Sequence, residues 1–326
     1  MTTLLSALTA QATTAAHPRP GAPGEAPCVC GSGTLADRPD ATVVRHAATV
    51  AKAHAPGSDP ARLTARLALA ARLPGVFVPP LRADPVPLHG RLVTFWPYGT
   101  PVDPDDPDAA PWEAAAGLLA DLHRTPAPDP ALPPMRGPEK AARAVARLRA
   151  TGTAHPAAAP VLRAWATLPA WARADAPMPS GATAVCHGDL HLGQLVRHPA
   201  PDGPWRLIDV DDLGVGAPAW DLARPAAWYA CGLLAPDEWT RFLTAYRAAG
   251  GPAVPPTGDP WPALDVPARA LTVQTAATTL TKALAAHRAL DEVEQSVIDA
   301  AARIAALPQP QRSARTPGEW ERTLPK

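Results

Sequence analysis

Apolar and polar positions follow two rhythms along this chain, and the change of rhythm divides it. Residues 4–16 place small and apolar side chains at helical spacing, and Pro18 and Pro20 end that segment. From Cys28 to His54 the pattern shortens to that of strands. Residues 29–35, 42–44 and 49–54 read as extended, with Arg38-Pro39-Asp40-Ala41 as a turn between the first two. Ser58-Asp59-Pro60 opens an Ala-, Leu- and Arg-rich helix to Leu73, and residues 76–78 and 91–96 return to strand. After Trp96-Pro97-Tyr98-Gly99 the pattern is largely helical, over residues 112–124, 138–150, 157–174, 238–249, 267–290 and 292–307, and Trp220 starts a helix that includes Trp228 and Tyr229. The exception is a pair of short apolar runs, one ending at Cys186 and one spanning 205–210. With Pro201-Asp202-Gly203-Pro204 between them they read as a hairpin. The predicted organisation is an N-terminal helix and flexible segment (1–25), a small sheet-bearing lobe (26–98), a larger, mainly helical lobe (99–310) and a loose tail (311–326).

The polar residues that interrupt this hairpin carry the chemistry. Cys186-His187-Gly188-Asp189-Leu190-His191-Leu192-Gly193-Gln194 leaves the first strand, and the second ends in Leu207-Ile208-Asp209-Val210-Asp211-Asp212. The hairpin brings Asp189, Gln194 and Asp209 to one end. Phosphoryl transfer from a nucleotide needs such a set: one carboxylate to orient the acceptor hydroxyl, and a second carboxylate with an amide oxygen to hold magnesium. Lys52, one of four lysines in a chain that otherwise uses Arg, lies on the third strand, where a compact ammonium suits phosphate. Gly31-Ser32-Gly33 reads either as a turn admitting phosphates or as an ordinary bend. The acidic run 103–108 reads as a solvated capping loop or as an attraction for a cationic acceptor.

His-Gly-Asp-Leu-His-Leu-Gly-Gln, Leu-Ile-Asp-Val-Asp-Asp and Trp220-Asp221-Leu222-Ala223 together resemble the aminoglycoside phosphotransferase and choline-kinase-like family. Gln194 in place of Asn is similar to the variant of bacterial maltokinases and glucosamine kinases. The resemblance implies an α+β, bilobal protein-kinase-like fold with a small antiparallel sheet lobe carrying one helix. It implies an ATP- or GTP-dependent enzyme with Mg²⁺ that phosphorylates a small-molecule hydroxyl, on an antibiotic such as an aminoglycoside or on a sugar or amino sugar. Carried onto these positions, Asp189 is catalytic, Gln194 and Asp209 hold metal, and Lys52, Gly31, Ser32, Gly33 and the backbone around Phe95, Trp96 and Tyr98 bind nucleotide. His187 and Asp221 brace the loop, and His191 and Asp211 surround the metal site. One feature departs from the kinase pattern: no Glu lies between Pro60 and Leu73 to pair with Lys52. That departure keeps open a non-catalytic nucleotide-binding module. A two-metal phosphoesterase is disfavoured, since its usual Gly-Asn-His element has no counterpart in a chain without asparagine.

Composition narrows the rest. Apolar residues make up 47% of the 326 and charged ones 18%, which places the chain among folded proteins. The 44 prolines read as punctuation from a GC-rich coding bias. Net charge is +0 without a basic stripe, which argues against nucleic acid as partner. No apolar run reaches membrane-spanning length. Cys28, Cys30, Cys186 and Cys231 form no disulfide framework, no nearby Cys/His pair completes a zinc site around Cys28 and Cys30, and reduced, buried thiols in the cytoplasm are expected.

Overall fold

Helix α1 (Leu4–Ala16) and strands β1 (Ser32–Asp37), β2 (Thr42–His46) and β3 (Thr49–Ala53) open a computed structural model that describes residues 3–17, 28–126, 132–151, 153–181 and 183–307. Helix α2 (Pro60–Arg72) follows, then β4 (Val86–Leu88) and β5 (Arg91–Pro97), giving one antiparallel sheet in the order β1-β2-β3-β5-β4. Side chains alternate across a strand, so Val44, Ala51, Ala53, Val93 and Phe95 share one face. Leu8 and Ala12 of α1 are fully buried against it. The other face presents Lys52 opposite Thr94, and Trp96 packs from it into the main core. Asp59 caps α2 by accepting from Arg62 N, and Leu63 and Leu67 bury the helix against Phe77 and Leu119.

Beyond β5 the chain crosses Tyr98 and Gly99 into β6 (Thr100–Pro101). A side chain at Gly99 would strike Val196, so the crossing requires glycine. Helices α3 (Trp112–His123), α4 (Gly137–Thr151) and α5 (Ala158–Thr167) follow, then β7 (Ala184–Cys186), β8 (Leu195–Arg197), β9 (Trp205–Leu207) and β10 (Gly214–Gly216). Helices α6 (Ala223–Cys231), α7 (Pro236–Ala248), α8 (Trp261–Ala285) and α9 (Glu292–Ala306) complete the described chain. The fold is thus α+β and protein-kinase-like, an antiparallel N-terminal sheet joined to a mostly helical remainder.

Several elements differ from expectation. Val185 and Cys186 do not pair with the 205–210 run: β7 pairs with β10, while β9 pairs with β8, which also pairs with β6. Gly214 and Gly216 allow that pairing because the backbone and side chain of Met135 lie where a Cβ at either position would sit. Residues 76–78 form only an isolated bridge, Phe77 to Leu207, and β4 forms despite Pro87 because it is an edge strand. The helix expected over 157–174 breaks at Leu168-Pro169 into α5 and a short 3₁₀ turn. Cys28 and Cys30 are exposed rather than buried. The expectations for residues 18–25 and for the tail at 311–326 lie outside the described residues. Among the described residues no helix is long and apolar enough to cross a membrane.

Candidate active site

The loop after β7 is held by one buried carboxylate. Asp221 Oδ2 accepts His187 N at 2.6 Å and Oδ1 accepts Gly188 N at 2.7 Å. His123 Nε2 lies 3.0 Å from Oδ2, and its Nδ1 lies 2.8 Å from the hydroxyl of Tyr246. Burial alone would raise the Asp221 carboxyl, but the bond from His123 and the two backbone amides outweigh it and hold it below the ordinary value. Gly188 takes φ +81° and passes against the Asp212 carbonyl, where a Cβ would collide. His187 stacks on Phe77, and its Nε2 lies 2.9 Å from the Ile208 carbonyl, joining this loop to the strand end that carries Asp209.

Asp189 follows Gly188 and meets two cations the sequence reading did not place. Arg224 Nη2 lies 2.8 Å from Asp189 Oδ1 while its Nε donates to Leu190 O, and Lys140 Nζ lies 3.4 Å from the same carboxylate oxygen. Lys140 also donates to Gly188 O at 3.1 Å and to Asp212 Oδ2 at 2.8 Å, and Arg136 reaches Asp212 Oδ1 at 2.5 Å. Burial would raise the Asp189 carboxyl, but Lys140 and Arg224 hold it below the usual carboxylate range. It is therefore ionised at neutral pH. Asp189, Lys140 and Arg224 line a small cleft with Met135, Gly137 and Trp220, so the carboxylate faces a space with polar and apolar walls.

On the other side, Lys52 reaches across from the sheet. Its Nζ lies 2.7 Å from Asp209 Oδ1 and 2.9 Å from Asp211 Oδ2. Burial would lower the ammonium's pKa, but the two carboxylates outweigh it and raise it, so it stays charged. Asp211 also receives His54 Nδ1 at 2.6 Å, and His54 Nε2 lies 2.8 Å from Thr94 Oγ1. Asp211 thus stands where the absent helix Glu was sought. From α2 it is Arg66 that reaches in, donating Nε to Leu213 O. Asp209 adopts φ +66°, a left-handed conformation open to few residues besides Gly, Asn and Asp. Gln194 is buried, and its backbone carbonyl accepts the amide of Ile208, the residue before Asp209, at 2.9 Å. Carboxylate and amide oxygens, the donor types that Asp209 and Gln194 carry, are the hard ligands Mg²⁺ takes, so these residue types would suit that ion.

Three expectations for nucleotide contacts meet a different geometry. Gly31-Ser32-Gly33 is no turn: Ser32 and Gly33 begin β1, paired with His46 and Arg45 at the end of the sheet away from Asp209. The true β1–β2 turn is Arg38–Ala41, at the Ala53 end of the sheet nearest Asp211. The Phe95 ring packs under α1, on the face opposite Lys52, and its carbonyl accepts Leu81 N. The Tyr98 amide donates to Ala48 O at 2.7 Å and its ring stacks under Arg45, so both of these backbone groups already have backbone partners. Trp96 packs into the main core and donates Nε1 to Thr94 Oγ1.

Burial first, and then the charge of Arg224, lower His191 to about 4. Its ring is expected to stay neutral through the physiological range and to titrate near that value in an NMR titration of the imidazole. A His191→Gln variant should accordingly keep the shape of the pH–rate profile between pH 5 and 8. An inflection near 6.5 assignable to His191 would contradict this.

A model described as the phosphotransferase enzyme family matches residues 36–261. No curated protein matches the chain in sequence. Among solved structures, the chain is similar to spectinomycin phosphotransferase APH(9)-Ia in complex with ADP and spectinomycin, at 13% identity and TM-score 0.56, covering 84% of this chain and 92% of that one. A thermostable mutant of aminoglycoside phosphotransferase APH(4)-Ia with AMP-PNP and hygromycin B gives 13% and 0.56, covering 84% and 94%. A choline/ethanolamine kinase family protein from Mesorhizobium loti gives 18% and 0.50, covering 91% and 93%.

Proposed function

Because the chain belongs to the phosphotransferase enzyme family, its matched region containing every candidate site residue from Lys52 to Asp221, we propose that it moves the γ-phosphoryl group of ATP or GTP to a hydroxyl of a small molecule. One observation supports this above the rest. Lys52 pairs with Asp209 and Asp211 on one side of a loop whose Asp189 faces a cleft on the other, an arrangement suited to holding nucleotide phosphates on the first side and an acceptor on the second. In this reading Asp189 accepts a hydrogen bond from the acceptor hydroxyl and takes its proton late, as a largely dissociative transfer requires. Lys140 and Arg224 fix its orientation, and Lys52 turns to the phosphates. Gln194 and Asp209 would hold Mg²⁺, which supplies positive charge against the phosphate oxygens.

The acceptor is an antibiotic, aminoglycoside or other, or a sugar or amino sugar. The solved relatives bound to spectinomycin and hygromycin B support a polyhydroxylated acceptor. The acidic run gives a cationic acceptor less support, because Asp103 and Asp106 each accept a backbone amide of their own loop. The test is turnover of Mg-ATP and Mg-GTP against a panel of aminoglycosides, other antibiotics, sugars and amino sugars, with Asp189→Ala as control. Turnover on one acceptor class, lost in the variant, is the expected result. Nucleotide binding without turnover on any acceptor would favour the non-catalytic module, and no nucleotide binding would overturn both.

A further inference from the structure

Far from this site, at the opposite end of the small sheet, four side chains converge that the phosphotransfer reading does not use. His17 caps the C-terminus of α1, Cys28 and Cys30 precede β1, and His46 ends β2. One donor atom from each lies within 4.8 Å of every other. His17 Nε2 is 3.2 Å from His46 Nε2, and Cys28 Sγ is 3.1 Å from His17 Nε2 and 3.5 Å from His46 Nε2. Zinc bonds of about 2.3 Å to sulfur and 2.0–2.1 Å to nitrogen put neighbouring ligand atoms of a tetrahedron roughly 3.3–3.8 Å apart. The cluster is close to that size.

Two further contacts fit ligands rather than a chance meeting. Ser32 Oγ lies 2.6 Å from His46 Nδ1, so an Nδ1–H given to Ser32 leaves the Nε2 lone pair facing the other three groups. Cys30 N donates to Cys28 Sγ at 3.2 Å, a bond that stabilises a thiolate. We propose that His17, Cys28, Cys30 and His46 bind one structural zinc ion, which staples α1 and the start of β1 to β2. Two thiolates with two imidazoles form a closed, soft donor set that favours zinc over magnesium or calcium. The staple has a mechanical use. β1 is an exposed edge strand paired with β2, and its far end leads into the Arg38–Ala41 turn at the Ala53 end of the sheet, where the next residue, His54, bonds Asp211. The sequence reading found no Cys/His pair near Cys28 and Cys30; the fold brings His17 and His46 to them. The histidines come from a helix end and a strand, 29 residues apart, and match no short-range ligand spacing.

The test is Co²⁺ titration of the reduced, metal-stripped full-length chain, followed by Zn²⁺. We expect one equivalent of Co²⁺ to give the intense d–d bands of a tetrahedral site with thiolate charge transfer, and Zn²⁺ to bleach both. Cys28→Ser/Cys30→Ser should lose the charge-transfer band. Ser32→Ala should keep it while weakening zinc about 10–100-fold. Cobalt held by the Asp209 carboxylates would be oxygen-ligated, without charge transfer, and present in every variant. A wild-type chain that shows no thiolate charge transfer overturns the proposal, as does an unchanged band in the double cysteine variant.

Discussion

Asp189→Asn is expected to lower kcat about 10²–10⁴-fold, the range for a positioned acid–base group, while nucleotide affinity stays within a few-fold. The asymmetry follows from geometry. Asp189 contacts Arg224 and Lys140 on the cleft side, whereas Lys52 pairs with Asp209 and Asp211. The variant should fold, because its cations keep other partners: Arg224 still donates to Leu190 O, and Lys140 to Gly188 O and Asp212. What is lost is an anionic acceptor for the substrate hydroxyl. The wild-type carboxyl is held below the ordinary carboxylate pKa, so activity that needs it ionised persists to lower pH than a free Asp would allow and falls as pH drops through that depressed value. Steady-state kinetics paired with nucleotide binding by calorimetry checks both parts. A kcat reduced less than tenfold would remove Asp189 from the reaction.

The residues that sequence reading reached and those it missed differ in a physical way. Asp189, Gln194 and Asp209 announce themselves because one loop and one strand end carry them within a short stretch. Lys52 stands out because lysine is scarce here, and the same scarcity points to Lys140, the next lysine along the chain. Nothing local marks Arg224, His54 or Arg136, ordinary residues on a helix, a strand end and a loop until the fold gathers them. Element positions were legible from periodicity, but strand partners were not. β7 pairs across 28 residues with a Gly-Val-Gly segment whose glycines answer to Met135 rather than to any strand propensity. Gly31-Ser32-Gly33 misled for the complementary reason: glycines that resemble a turn meet no neighbour within van der Waals reach, and simply start an exposed edge strand.

The largest structural effect should come from Asp221→Ala. Its carboxylate is buried, accepts the amides of His187 and Gly188 and lies against His123. Truncation leaves two backbone donors and a histidine without their acceptor in a dry interior. Losing one member of such a buried group costs about 3–5 kcal/mol, or a fall in Tm of about 4–7 °C for a chain of this length. The catalytic loop would go with it, since those two amides are the residues immediately before Asp189. Activity should thus fall even at temperatures where the chain stays folded, and the His187 and Gly188 amides should lose hydrogen-exchange protection. Asp221→Asn offers one acceptor oxygen but turns an NH₂ toward the second donor, and should recover only part of the loss. The pH dependence separates charge from shape. Asp221 has a folded pKa below the unfolded value of about 3.9. Its stabilisation is therefore complete well above that pH and is lost as pH falls through the folded value. Asp221→Asn lacks this contribution, so its stability curve should be flatter at the acid end than that of the wild type. A Tm for Asp221→Ala within a degree or two of wild type, with both amides still protected, would show that the loop is held by something other than this carboxylate.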